Sequence, residues 1–178
     1  MKITSVEAIP VSRYLFVKVH TDEGIVGIGE SGAWGHLEAS EAAINKFGRY
    51  LVGKDPLRIE HHWQNMYRSG HFRGAAIMGA ISALDIALWD ISGKHFGVPV
   101  YQLLGGAVRK EIPVCHSVGV ASPEEAAKEA TQVLEDGIRS MQIKVPGEPK
   151  RDLEIVKAIR RAVGEDARHG LALQHVFR

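Results

Sequence analysis

The feature that most constrains this chain is the stretch from Ser69 to Gly106, SGHFRGAAIMGAISALDIALWDISGKHFGVPVYQLLGG, its longest apolar segment. Between Ala75 and Phe96 small and branched residues recur at helical spacing, with Ile77, Ile81, Leu84, Leu88 and Ile91 along one stripe. That pattern predicts a buried helix, around which the rest of the chain has to be built. Its C-terminal end is also written in the sequence: Gly97 can take the left-handed conformation that stops a helix, and Pro99 cannot continue one. Asp85 and Asp90 are the polar exceptions. If Asp85 is buried, its carboxylate needs a hydrogen bond from the backbone or from a basic group.

Upstream of this helix, Ile3 to Pro10 reads as a short alternating strand, and Leu15–His20 pairs with Ile25–Glu30 across the turn Thr21-Asp22-Glu23-Gly24. The buried face of that hairpin is built either on Phe16 or on Val17 with their alternates. Leu37 to Leu51 reads as an amphipathic helix with Ala39, Ala43, Phe47 and Leu51 on one side. Asp55-Pro56 is read as the cap and first turn of another helix, running to Tyr67. His61 and His62 are adjacent, so on a helix they point about 100° apart and do not share a metal; packing is also the expected role of His71 in the loop before the core helix.

After Gly105-Gly106 the chain alternates: a strand Ile112–Ser117, a helix opened by the capping box Ser122-Pro123-Glu124-Glu125, a strand Ser140–Val145 and a helix Arg151–Val163. This is the opening of a parallel α/β unit. Strand alternation puts Gln142 and Lys144 on one face. The last dozen residues are expected to add no ordered element.

The chain has 178 residues, 45% of them apolar and 24% charged, an ordinary globular composition. A net charge of +1 without a basic run argues against a nucleic-acid surface. The single cysteine, Cys115, rules out an internal disulfide and suits a reducing compartment, and no stretch reaches 18 unbroken apolar residues. A soluble, cytoplasmic protein with no membrane partner is the expectation.

ISALDIALWDISGKHFGVPVYQLLGG, with Arg109 and the strand-like IPVCHSVG behind it, resembles the signature of the mandelate racemase and muconate-lactonizing branch of the enolase superfamily. Lys2 to Pro10, FVKVHTDEGIVGIGE and LVGKDPLRIEHHWQNMYRSGHFRG are most similar to the acid-sugar dehydratases of that branch, of the galactonate type. The resemblance covers about Met1 to Asp166. It implies an α+β capping domain with the core helix over residues 1–111, then the truncated start of an α/β, TIM-like barrel over residues 112–178. Such a barrel takes about 250 residues, so it does not close within this chain.

The resemblance also implies a chemistry: Mg²⁺-assisted removal of the proton α to a carboxylate and loss of water from an acid sugar, with a homo-oligomer possible. Racemase or cycloisomerase activity of the same superfamily, or a noncatalytic remnant, are the alternatives. Arg13, Tyr14, Trp34 and His36 match cap-loop positions that close over substrate. Lys144 matches the second lysine of the family's KxK motif and is the implied base, or a substrate contact where a later histidine is the base, while Gln142 replaces the first lysine and becomes a substrate contact. The metal ligands do not carry over: Ala172 stands where the first acid is expected, and the other two acids fall beyond Arg178. His169 and His175 are not promoted to ligands in their place. A shifted reading frame, a misjoined segment or a genuine end of the chain are the alternatives for the departure after Asp166.

Overall fold

The computed structural model describes residues 1–119, 121–164 and 168–173, the last of these as backbone. The chain divides into two compact units, Met1–Val108 and Arg109–Arg178.

The first unit opens with an antiparallel meander, β1 (Ile3–Val11), β2 (Tyr14–Thr21) and β3 (Val26–Ser31), in the order β1-β2-β3. Leu15, Val17 and Val19 of β2 are fully buried, which settles the choice between Phe16 and Val17 in favour of Val17. Helices α1 (Leu37–Leu51), α2 (Ile59–Arg68), α3 (Ala75–Phe96) and the short α4 (Val100–Leu103) follow. Ile81, Leu84, Leu88 and Ile91 of α3 are fully buried in one core with β2 and with Ile44, Phe47 and Leu51 of α1. Gly97 takes the left-handed conformation at φ 68 and stops α3 as its sequence predicts. By length and composition α3 is long and apolar enough to cross a membrane, a test that a buried core helix also passes. Here it is the centre of the unit's core.

Helix α3 lies directly on β3 because neither partner has bulk where they meet. A Cβ at Gly27 would strike the carbonyl of Ala87, one at Gly29 the carbonyl of Ala83, and one at Gly79 the Ser31 hydroxyl. Two strand residues advance about 6.8 Å and four helix residues about 6 Å, so the small residues of strand and helix stay in step. At the far end of this contact Asp90 accepts the Ile28 N–H at 2.9 Å, and Lys94 donates to the Val26 carbonyl at 2.7 Å and to Asp90 at 2.7 Å. Two side chains of one helix turn thereby occupy backbone groups along the edge of the sheet.

Three local expectations change. Ala39 is exposed, and Ser40 takes its place on the buried side of α1, donating to the Ala76 carbonyl at 2.8 Å. Asp55 does not cap α2: its Oδ1 accepts from Leu57 N–H at 2.9 Å, and its carbonyl closes a turn with Arg58. That carbonyl also takes a bond from the His62 ring, so the helical ladder starts one turn later, at Ile59. Asp85 is half-buried, and its carboxylate, with no hydrogen bond from a backbone or basic group among the described residues, is eased only by the nearby Trp89 indole. Inside a helix the backbone N–H groups are spent on the helical ladder.

The second unit runs β4 (Cys115–Val118), α5 (Pro123–Glu135), β5 (Ser140–Val145), α6 (Pro149–Val163) and β6 (Arg168–Leu173), with the strands parallel in the order β4-β5-β6. Strand β4 begins at Cys115, not Ile112, because β5 offers its first partner at Ser140, opposite Cys115. Ile112 and Val114 stay exposed. Ser122 and Glu125 form the expected capping box: the Ser122 side chain accepts from Glu125 N–H at 3.2 Å, and Glu125 accepts from Ser122 N–H at 3.0 Å. The strand β6 corrects the expectation of a tail without regular structure, since residues 168–173 pair along the free edge of β5. His175, and the rest of the tail beyond Leu173, lie outside the described residues.

Candidate functional site

The two-residue loop Ser12-Arg13 joins β1 to β2, with Val11 and Tyr14 paired across it. Ser12 sits at φ 54, the one non-glycine residue with positive φ among the described residues. A left-handed turn suits the twist of a tight hairpin but costs a residue with a side chain some strain, of the kind that gathers at functional loops. The turn places the Arg13 guanidinium 5.3 Å from the centre of the Tyr14 ring and 5.7 Å from that of Trp34. Arg13 Nε and Nη2 each lie 3.2 Å from the Tyr14 hydroxyl as donors. Tyr14 in turn stacks on Phe16, ring centres 6.2 Å apart.

Trp34 arrives from the connection between β3 and α1, a tight segment in which Trp34 N–H reaches the Gly32 carbonyl and His36 N–H the Ala33 carbonyl. The indole is 67% exposed, so most of its face is available to a ligand. Arg13, Tyr14 and Trp34 therefore converge from two loops, while His36 does not join them. It stands exposed at the head of α1, and its side chain makes no hydrogen bond among the described residues. The cluster offers a cation held over two aromatic faces, with Nη1 unspent, an arrangement suited to a carboxylate on a short polar molecule. Ser12, which shapes it, was not a candidate from sequence, and Phe16 had entered only as an alternative for the buried face of the hairpin. The tight spacing between two strands was the available signal for Ser12.

In the second unit, Met141, Ile143 and Val145 are buried with Ile155 and Ile159 of α6 and Ala126 and Ala130 of α5. Gln142 and the half-buried Lys144 therefore face away from the helices, and Ser117 pairs with Gln142 to lengthen the polar row. His116 lies on the helix side, its Nε2 2.9 Å from Glu129. Lys144 pairs in register with Ala172. Lys144 makes no ion pair among the described residues, so its amine is unclaimed on that face.

His61 and His62 diverge: His61 is exposed, and His62 is buried with Nε2 2.8 Å from the Asp55 carbonyl and Nδ1 3.1 Å from the Tyr50 hydroxyl. Nε2 must donate to a carbonyl, and in the neutral ring Nδ1 then accepts from Tyr50, so His62 is a structural bridge. Burial, first of all, holds His62 below its ordinary pKa. His71 is exposed in the Ser69–Gly74 loop. Among the described residues no group of three or more His, Cys, Asp or Glu side chains could hold a metal ion.

The family model for the mandelate racemase / muconate lactonizing enzyme, N-terminal domain, matches residues 2–105. Among curated relatives, the D-galactonate dehydratase of Variovorax paradoxus is 48% identical over 145 residues, 80% of this chain and 38% of the relative. That of Pectobacterium atrosepticum is 41% identical over 182 aligned positions, 96% of this chain and 48% of the relative. Among solved structures, the 3,6-anhydro-D-galactonate cycloisomerase of Zobellia galactanivorans aligns with a TM-score of 0.88 at 33% identity, covering 96% of this chain and 50% of that one. The dipeptide epimerase of Enterococcus faecalis aligns with a TM-score of 0.81 at 31% identity, covering 96% and 52%. The chain thus spans about half the length, or less, of these relatives.

Proposed function

The chain belongs to the mandelate racemase / muconate lactonizing enzyme family of the enolase superfamily, and on that premise we propose that it is the N-terminal part of an acid-sugar dehydratase acting on galactonate or a close relative. The observation that carries this reading is the convergence of Arg13, Tyr14 and Trp34 on the capping unit, together with similarity to D-galactonate dehydratases at 41% and 48% identity. Arg13 binds the substrate carboxylate, with the Tyr14 hydroxyl fixing the guanidinium plane, and Trp34 covers the carbon chain and excludes water. Gln142 hydrogen-bonds a substrate hydroxyl. Lys144 Nζ takes the proton α to the carboxylate, or contacts the substrate where another group does so.

The divalent metal implied by the family would supply stabilisation of negative charge beside the substrate carboxylate. The residues present here do not fit it: Mg²⁺ takes oxygen ligands, and Ala172, next to Lys144 in the sheet, has no side-chain oxygen. The purified chain alone is therefore inactive in this reading. The test is a chimera in which residues 1–164 of this chain replace the equivalent portion of the Variovorax paradoxus enzyme. The chimera is expected to dehydrate D-galactonate in a chelator-sensitive way. Arg13→Ala should raise KM about tenfold or more, the loss of a charge-assisted hydrogen bond. A folded chimera with no such activity sinks the assignment, and chelator-sensitive turnover by the isolated chain sinks the claim of inactivity.

A further inference from the structure

The capping unit also has a cleft that the Arg13–Trp34 loops do not line. It lies between α1, the end of α2 and the Ser69–Gly74 loop, with a volume of about 320 Å³. Its apolar lining includes Phe47, Met66 and Ile77, and its charged groups are Lys46 and Arg73, with no carboxylate. Arg73 is held by two contacts. Its Nε donates to the Tyr67 carbonyl at 2.7 Å, and its guanidinium lies 4.0 Å above the Tyr67 ring. That ring is itself stacked on Trp63 at 4.7 Å.

Nη1 of Arg73 reaches the His71 carbonyl only at 3.4 Å, and Nη2 has no partner among the described residues. Lys46 likewise makes no ion pair among them. One wall of the cleft is Phe72, 93% exposed, an aromatic ring left almost wholly in water where an occupant would cover it.

We propose that this cleft is a second binding site, for a small monoanion with an apolar body: an aryl or branched aliphatic carboxylate. The charge follows from two cations facing the space without a carboxylate to balance them. The size follows from a volume near the lower end for ligand pockets, the room of about ten water molecules. The apolar body follows from Phe47, Met66, Ile77 and Phe72. A polyhydroxy acid has no such body, so its chemistry suits the Arg13–Trp34 loops and not this cleft. The pre-stacked Trp63–Tyr67–Arg73 column presents the guanidinium edge without further ordering, which favours binding of a planar carboxylate.

The experiment is a titration of the 178-residue chain with phenylacetate, followed by methyl and amide NMR. Saturable shifts are expected at Ala43, Met66, Ile77 and the 69–74 loop. The uncharged analogue 2-phenylethanol should bind about tenfold more weakly, and Lys46→Gln and Arg73→Gln should each weaken phenylacetate about tenfold. Ala42→Trp, at an exposed position on the cleft wall, should abolish binding with the fold intact. Shifts that do not saturate, equal binding of 2-phenylethanol or of D-galactonate, or binding that survives Ala42→Trp would overturn the proposal. So would sedimentation showing that a second copy fills the cleft and competes with the probe.

Discussion

Gly29 of β3 lies against the carbonyl of Ala83 in α3 so closely that no side chain fits between them. The same holds for Gly27 and Ala87 one helix turn on, and these contacts set how deeply the core helix sits on the sheet. Gly29→Ala should cost about 3 kcal/mol, the upper end for overpacking, because the added methyl meets backbone and not a flexible side chain. Gly32→Ala, in open space, should be neutral or stabilise by about 0.5 kcal/mol through the unfolded state. Urea unfolding of both variants checks the contrast; equal midpoints would show that α3 can ride further out.

Asp90 and Lys94 should matter for association more than for stability. Asp90→Ala frees the Ile28 N–H and loosens Lys94 from the Val26 carbonyl, at a cost of about 1 kcal/mol given the partial exposure of the pair. The freed backbone groups of β3 then become a template for another chain. Light scattering should show concentration-dependent growth in Asp90→Ala that the parent lacks.

His62 makes the capping unit sensitive to acid. Its pKa is lowered in the folded state, chiefly by burial, so the unfolded chain binds a proton at a higher pH than the folded one. Stability from this group is complete above about pH 6.5, the unfolded value, and is lost as the pH falls from there through the folded pKa. Urea midpoints between pH 7.5 and pH 5 should fall in the parent and fall less in His62→Gln. A parallel decline in both would remove His62 as the cause.

Asp85 carries the opposite sign. Burial first, then the Glu60 carboxylate, raises its pKa, while the Trp89 indole lowers it. Its charge is thus a burden that grows as the pH rises through the unfolded value near 3.9 and is complete above the folded pKa. Asp85→Asn should raise the Tm at pH 7 and lose that advantage near pH 3. A lower Tm at pH 7 would mean that the interaction with the Trp89 indole outweighs desolvation.

What the sequence determined by itself was whatever depends on neighbours in the chain. The span of α3 and its end at Gly97, the limits of α1 and β5, and the Ser122 capping box all follow from local periodicity and capping chemistry. The family signature is legible for the same reason, since it is a contiguous run of core-helix residues. Tertiary structure decided what depends on a distant partner. Val17 faces the core because α3 lies on that side of the sheet, and β4 starts at Cys115 because β5 has no earlier partner to offer. α2 starts late because the Asp55 carbonyl is taken by His62. The candidate site divides along the same line. Alternation alone put Gln142 and Lys144 on one face, but Arg13 and Trp34 meet only because two hairpin registers and a left-handed Ser12 bring separate loops together, a long-range geometry that no spacing in the chain encodes.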